Sequence, residues 1–342
     1  MRLPQPLLDS PYFLFQTLEE LTRALAGGID PEELAVVRDI DSKGLMPVTS
    51  PYVLGTMFGV NPGLIWSFVN RPQKHYRSFS IPKGRSYRLI TAPRVALKII
   101  QKWISVQLNR SYAAPAHVFG FYAGRSHLDA ARVHLRAGWV FSVDIKDFFQ
   151  TTPETLVRQR LGEFGYSGRG LDLLTALVCF SGGLPQGSPA SPVLSNICFG
   201  WHDQQLRLIA DHYGARLSRY ADDIVFSGVD EFPDGLRQAV LDLFDDGATP
   251  WALNPKKVEL SEAPQRRKVH GLLVHGDQIR LTKGYRNRLR AFRHLLAEGK
   301  ARPGDRAELL GHLAYAAAVD GYAPPEGAYF AAVRAPPHDH NF

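Results

Sequence analysis

The chain has 342 residues, 40 Lys+Arg against 33 Asp+Glu, a formal charge of +7 and 45% hydrophobic residues. That length fits two average domains or one large domain built of lobes, and the composition excludes wholesale disorder. No stretch nears the ~20 unbroken apolar residues of a membrane span; the start, MRLPQPLLDSPYF, lacks the basic-then-apolar order of a secretory signal, so a cytoplasmic location and no membrane partner are expected.

In chain order, residues 12–26 carry apolar residues at helical spacing and stop at Gly27-Gly28. Residues 31–70 read as short helices with turns at Pro47, Pro51 and Pro62. Two β-rich arms, Phe79–Ile81 and Tyr87–Thr91, flank Lys83-Gly84-Arg85 and predict a hairpin. Residues 94–110 form a basic amphipathic helix and residues 139–145, WVFSVDI, a strand. Thr152-Pro153-Glu154 starts a helix; residues 189–213 are a long helix interrupted early by Pro192. RLSRYADDIVFSG, residues 216–228, reads as two strands joined at Ala221-Asp222-Asp223, and a last helical region spans Lys283 to Ala318. Cys179 and Cys198 are too few for a disulfide framework or an all-protein zinc site and read as small buried hydrophobes. The final APPHDHNF is expected to fray.

Charge is segregated along the chain. Arg71 to Arg110 holds ten Lys/Arg and no Asp/Glu, and Pro264 to Arg302 has a balance of +9, which leaves −12 for the remainder. Two basic lobes around an acidic middle suit a polyanion held at its flanks, with the centre left for chemistry; solvated basic faces would give the same count. Aromatic residues interleave the first basic segment and suit base or sugar contacts as well as a core.

Three elements of the acidic middle stand out. Asp144 ends an apolar strand and leads into Ile145-Lys146-Asp147-Phe148-Phe149. The loop GLPQGSPASP, residues 183–192, precedes a helix, and Tyr220-Ala221-Asp222-Asp223 sits at a hairpin bend. Adjacent aspartates inside an apolar strand pair either take up protons or need a cation. Oxygen ligands without His or Cys favour Mg²⁺ or Mn²⁺ over zinc. Two such ions would serve an in-line displacement of pyrophosphate.

Together these motifs resemble those of the reverse transcriptases. Asp144 with Phe148-Phe149 is similar to the first palm motif, LPQGSPASP to the LPQG-x-P-x-SP motif, and YADD to the metal-binding hairpin. IPK-x(4)-R, with Lys83 and Arg88, resembles the fingers motif. His117–Phe121 through Gly124-Arg125-Ser126 resembles the fingers-to-palm segment, and Leu253-Asn254 with Lys257 the element after the hairpin. The resemblance implies an α+β right-hand polymerase with an antiparallel palm sheet backed by helices. Its expected parts are N-terminal helices and fingers at 1–112, palm at 113–152 and 191–276, a fingers insertion at 153–190 and a thumb at 277–342.

It also implies the roles of single residues. Asp144, Asp222 and Asp223 are the expected catalytic carboxylates and, with the backbone of Ile145, the ligands of two Mg²⁺ ions for which Mn²⁺ can substitute. Lys83, Arg88, Phe149, Gln186 and Lys257 are expected at the incoming deoxynucleotide, with Phe149 as the steric gate against a ribose 2′-OH. Arg125, His134, His270 and the thumb cations Lys283, Arg286, Arg290 and Arg293 are expected to meet nucleic acid.

The thumb ends almost at the C-terminus, so the retron enzymes are the nearest likeness. That likeness implies a structured non-coding RNA as template and primer, a single-stranded DNA product on a 2′–5′ branch, and a separate effector (toxin) protein in phage defence. Two signatures depart from it: Ala130 stands where an Asn is expected, and His270 replaces a Thr. A solitary defence-associated reverse transcriptase therefore stays open; the basic lobes alone would permit a catalytically silent RNA-binding scaffold, against which the intact Asp144, Asp222 and Asp223 speak, and Phe149 argues against an RNA-directed RNA polymerase.

Overall fold

The computed structural model describes residues 4–322 except 85, 246, 248 and 303; for Lys83 and Ser86 it describes the backbone alone. Arg85 of the expected hairpin turn and the APPHDHNF end lie outside the described residues. The chain divides into two compact units, Met1–Ala113 with Asp147–Gly200, and Ala114–Lys146 with Trp201–Phe342.

The first unit opens with α1 (Gln5–Asp9), α2 (Leu18–Leu25), α3 (Pro31–Ser42), α4 (Pro51–Phe58) and α5 (Pro62–Asn70). The side chains of Thr17, Asp30, Ser50 and Asn61 accept backbone N–H groups of Glu20, Glu33, Val53 and Gly63, filling donors that a first helical turn leaves open. Pro31, Pro51 and Pro62 follow their caps, where a missing N–H costs nothing. Pro51 and Pro62 thus open helices, and the first amphipathic stretch begins at Leu18, behind its Thr17 cap, instead of at Tyr12.

Strands β1 (Tyr76–Lys83) and β2 (Ser86–Pro93) pair antiparallel from Tyr76↔Pro93 to Lys83↔Ser86. Helix α6 (Val95–Ser111) buries Leu97, Ile100, Ile104 and Leu108 and exposes Lys98 and Lys102, as its amphipathic pattern requires. The chain then contributes α7 (His127–Val133) and β3 (Trp139–Asp144) to the second unit. It returns through α8 (Phe148–Thr151), α9 (Glu154–Glu163) and α10 (Gly168–Val178) to α11 (Ser191–His212). The residue capping α9 is Pro153, because the Thr152 hydroxyl donates instead to the Phe148 carbonyl at 2.7 Å. Pro192 falls in the first turn of α11 and does not interrupt it. Both cysteines are buried.

In the second unit follow β4 (Arg216–Tyr220), β5 (Asp223–Gly228), α12 (Leu236–Asp245) and β6 (Glu259–Glu262). The short strands β7 (Lys268–Val269), β8 (Leu272–Leu273) and β9 (Arg280–Leu281) precede α13 (Lys283–Ala297) and α14 (Arg306–Asp320). The main sheet has the order β4-β5-β3-β6 with every pair antiparallel, and a three-stranded sheet has the order β7-β8-β9. The inner strands β3 and β5 are buried almost throughout, so their apolar runs lack polar alternation. Val140 and Val225 share a core with Leu272, Leu281 and Leu289. The architecture is α+β, as expected. Among the described residues no helix is long and apolar enough to cross a membrane.

Candidate active site

The three expected carboxylates meet at one end of the β3–β5 pair. Asp144 is the last residue of β3 and Asp223 the first of β5, and the register sets them directly opposite each other. Asp222 stands beside them on the turn, and its carbonyl accepts the Ile145 N–H at 3.0 Å. The Asp144 carbonyl accepts from Asn254 N–H at 2.8 Å, and Lys146 N–H donates to Ala252 at 2.9 Å, so the 252–254 segment continues the sheet edge. Asp144 is buried, and Asp222 and Asp223 are partly so.

Burial, followed by the charges of Asp222 and Asp223, pushes the Asp144 carboxyl up to about 6, against the pull of Lys257. Burial alone would also raise Asp223, but its pairing with His270, the Asp144 contact and the Lys257 charge together hold it below the usual carboxylate range. The Lys257 ammonium donates to Asp144 Oδ2. Burial works against its charge, yet the hydrogen bond to Asp144 and the neighbouring aspartates hold its pKa above the usual lysine value. Lys257, expected at the nucleotide, lies on the Asp144 carboxylate and gives this cluster a cation. Among the described residues no three His, Cys, Asp or Glu side chains are arranged to hold a metal by themselves. The donors nevertheless suit a hard divalent ion, since they are oxygens whose mutual repulsion a cation relieves.

Lys83, Arg88, Phe149 and Gln186 belong to the first unit. Lys83 ends β1, and Arg88 is half-buried on β2 opposite Ile81. Phe149 is half-buried and stacks on Phe148 with ring centroids 6.0 Å apart. Gln186 Oε1 accepts from Gln150 Nε2 at 3.0 Å, and its carbonyl accepts the Thr91 N–H of β2 at 2.9 Å. Gly187 allows that approach: its φ is +142°, and a Cβ there would stand 2.9 Å from the Thr91 carbonyl oxygen. The Ser188 hydroxyl donates to Gln101 Oε1 at 2.6 Å and Ser191 to the Pro185 carbonyl at 2.9 Å, which fixes the loop from both ends.

Two of the residues expected at nucleic acid are placed otherwise. His134 is fully buried, with Nδ1 2.7 Å from Ser227 Oγ and Nε2 2.7 Å from Ser218 Oγ, so no ring edge is left for a ligand. The Arg125 guanidinium donates to the carbonyls of Ala114, Pro115 and Val118 and lies 4.5 Å over the Tyr122 ring, tying its own segment together. His270 Nδ1 is 3.7 Å from Asp223 Oδ2, and its ring lies 5.3 Å from that of Tyr220. Lys283, Arg286, Arg290 and Arg293 are exposed on α13 at helical spacing, with Arg286 3.7 Å from Asp320. Sequence reasoning missed the buried Arg219 and Asp203 next to the hairpin; the signal was an arginine inside a strand of an otherwise buried sheet.

The chain was also compared with known proteins. The family described as reverse transcriptase (RNA-dependent DNA polymerase) matches residues 81–272, more than half of the chain. Two relatives from Myxococcus xanthus, the Mx65 and Mx162 retron reverse transcriptases, are each 29% identical; the matches cover 75% and 80% of this chain and 65% and 63% of theirs. The chain therefore spans a little under two thirds of either relative. The retron Ec86 reverse transcriptase of Escherichia coli is 26% identical over 66% of this chain and 71% of its own. Among solved structures, a Candida albicans telomerase is 11% identical over 70% of this chain and 55% of that one, with a TM-score of 0.45. With retron reverse transcriptases as its curated relatives and the family's match running across the aspartate cluster, the chain belongs to the reverse transcriptase (RNA-dependent DNA polymerase) family.

Proposed function

We propose that this chain is an RNA-directed DNA polymerase of retron type, copying a structured partner RNA into single-stranded DNA, with Asp144, Asp222 and Asp223 holding two Mg²⁺ ions. The observation that carries the reading is the Asp144–Asp223 pairing with Asp222 alongside, inside the family-matched region. Bound there, the ions would supply activation of the attacking hydroxyl and charge neutralisation on the leaving pyrophosphate.

The residues of the chain supply the rest. Asp144 is ionised above about pH 6, so it can receive a cation at neutral pH. Its partner Lys257 keeps the cluster from accumulating uncompensated charge beforehand. The Ile145 carbonyl is a further oxygen ligand on a backbone whose N–H is already tied to Asp222. Lys83 and Arg88 offset charge on the nucleotide triphosphate, Gln186 lies against its sugar and base, and Phe149 excludes a 2′-OH. The exposed cations of α13 hold the phosphates of the template–product duplex. The product is a 2′–5′ branched RNA–DNA molecule that acts with an effector protein in cytoplasmic phage defence.

The test is deoxynucleotide incorporation on RNA with Mg²⁺, by the wild type and by Asp222→Asn. Loss of several kcal/mol of transition-state stabilisation predicts a fall of roughly 10²–10⁴-fold in the variant. Undiminished synthesis by the variant refutes the metal assignment, and a wild type that binds RNA without incorporating nucleotide refutes the polymerase. A second reading, a solitary reverse transcriptase without a retron RNA, is favoured by Ala130 and His270. Sequencing the copurifying nucleic acid separates them, because linear DNA alone supports the solitary enzyme.

A further inference from the structure

We propose that the buried ion pair Arg219–Asp203 is a positioning device for the Asp222–Asp223 turn, acting through the carbonyl oxygen of Ala221. The inference rests on the reading of that turn as catalytic. Arg219, on β4, and Asp203, on α11, are both fully buried. Arg219 Nε and Nη2 donate to the two Asp203 oxygens at 2.7 and 2.6 Å, and Nη1 donates to the Ala221 carbonyl at 3.0 Å. His117 Nε2 lies 3.4 Å from Asp203 Oδ1, close enough for charge but without the alignment of a hydrogen bond.

Stability does not account for this pair. Desolvating two charges is costly, and an apolar pair of similar volume commonly does as well or better. What an apolar pair cannot do is hold a carbonyl. Ala221 is a non-glycine residue with φ +59°, a left-handed conformation that is unfavourable for a residue with a Cβ and must be held from outside. The next residue is Asp222. Only a guanidinium offers two donors to a carboxylate and a third to a neighbouring oxygen in a rigid plane.

The backbone around Arg219 is clamped as well. Its N–H donates to the His117 carbonyl at 2.7 Å, and its carbonyl accepts the Phe119 N–H at 2.8 Å. Gly120 then passes so close that a Cβ would stand 2.2 Å from the Ala221 nitrogen. Thus the bend is gripped by the 117–120 segment on its backbone and by Asp203, through Arg219, on its carbonyl. Burial would raise the Asp203 carboxyl, but the Arg219 charge and hydrogen bonds, with His117, hold it below the usual range, so the pair stays ionised at assay pH.

Two variants test the device. Asp203→Leu with Arg219→Met removes both charges and leaves no stranded ion; Arg219→Lys keeps the charge but loses the three-way fork. The readouts are melting temperature, Mn²⁺ affinity by electron paramagnetic resonance titration, and kcat and KM for deoxynucleotide. The double variant is expected to melt near the wild type, to bind Mn²⁺ about fivefold or more weakly, and to lose about tenfold or more in kcat with KM changed less than about threefold. Arg219→Lys should fall between the two proteins. A folded double variant with wild-type Mn²⁺ affinity and kcat overturns the proposal. Failure of both variants to fold overturns it too, because the pair would then be architecture. A wild type that neither binds Mn²⁺ nor incorporates nucleotide refutes the functional reading itself, and the positioning role with it.

Discussion

His134 separates a buried strut from a nucleic-acid contact. Its ring bridges Ser218 of β4 and Ser227 of β5, the two strands that carry the aspartate turn between them. Replacing it with alanine removes two hydrogen bonds worth about 1 kcal/mol each, strands two buried hydroxyls, and opens a cavity the size of a ring. The sum is about 3–5 kcal/mol, a large part of a typical domain's stability. The pH dependence has a definite sign. Burial, with the charges of Arg216 and His270, holds the folded-state pKa of His134 well below 6.5. Below pH ~6.5 the unfolded chain therefore takes up a proton that the folded chain refuses, and stability falls with pH. Between pH 7.5 and 5.5 this one group costs the folded state on the order of 1 kcal/mol. Chemical denaturation of wild type and His134→Gln at both pH values measures it: the wild type should lose more stability than the variant over that interval. Equal pH losses, or a His134→Ala protein of unchanged stability but weakened RNA binding, would refute the buried strut.

Further outcomes are expected elsewhere in the chain. Phe149→Ala or Phe149→Val should raise ribonucleotide incorporation relative to deoxynucleotide, and an unchanged sugar preference in single-nucleotide extension removes Phe149 from the gate. Lys257→Met takes away the partner that pulls the Asp144 carboxyl down, so that carboxyl should rise above about 6. The acidic limb of the pH–rate profile should then move upward, while rates near pH 8.5 change little; an unmoved limb refutes the pairing. Arg290→Ala with Arg293→Ala should flatten the salt dependence of duplex binding by about two units of slope, at ~0.9 per phosphate contact. An unchanged slope places the duplex elsewhere.

What the sequence makes legible follows from how local each signal is. The β3 and β5 strands, the bend between β4 and β5 and the GLPQGSP loop are set by neighbours a few residues apart, so pattern and turn chemistry suffice to find them. The contacts of His134, Arg125 and Lys257 are not legible in the sequence because their partners lie far along the chain or are backbone carbonyls. Lys257 meets Asp144 across 113 residues, and His134 meets Ser218 across 84 and Ser227 across 93. A histidine has the same local signature whether it faces RNA or two serines.

The charge distribution offers a better guide than residue type. In the acidic middle most cations have carboxylate or carbonyl partners: Arg158 with Asp172, Arg207 with Asp211, Arg216 with the carbonyls of Val133 and Leu135, and Arg219 with Asp203. On α13, Lys283, Arg290 and Arg293 have no carboxylate within ion-pair distance among the described residues. A cation surrounded by acids is captured by one of them during folding, whereas a basic run has fewer acids than cations and leaves some of its cations available to an external anion. By that argument the +9 segment is the first place to test for polyanion binding, and a lone Arg or Lys in the −12 remainder is first a candidate for holding its own backbone and carboxylates in place.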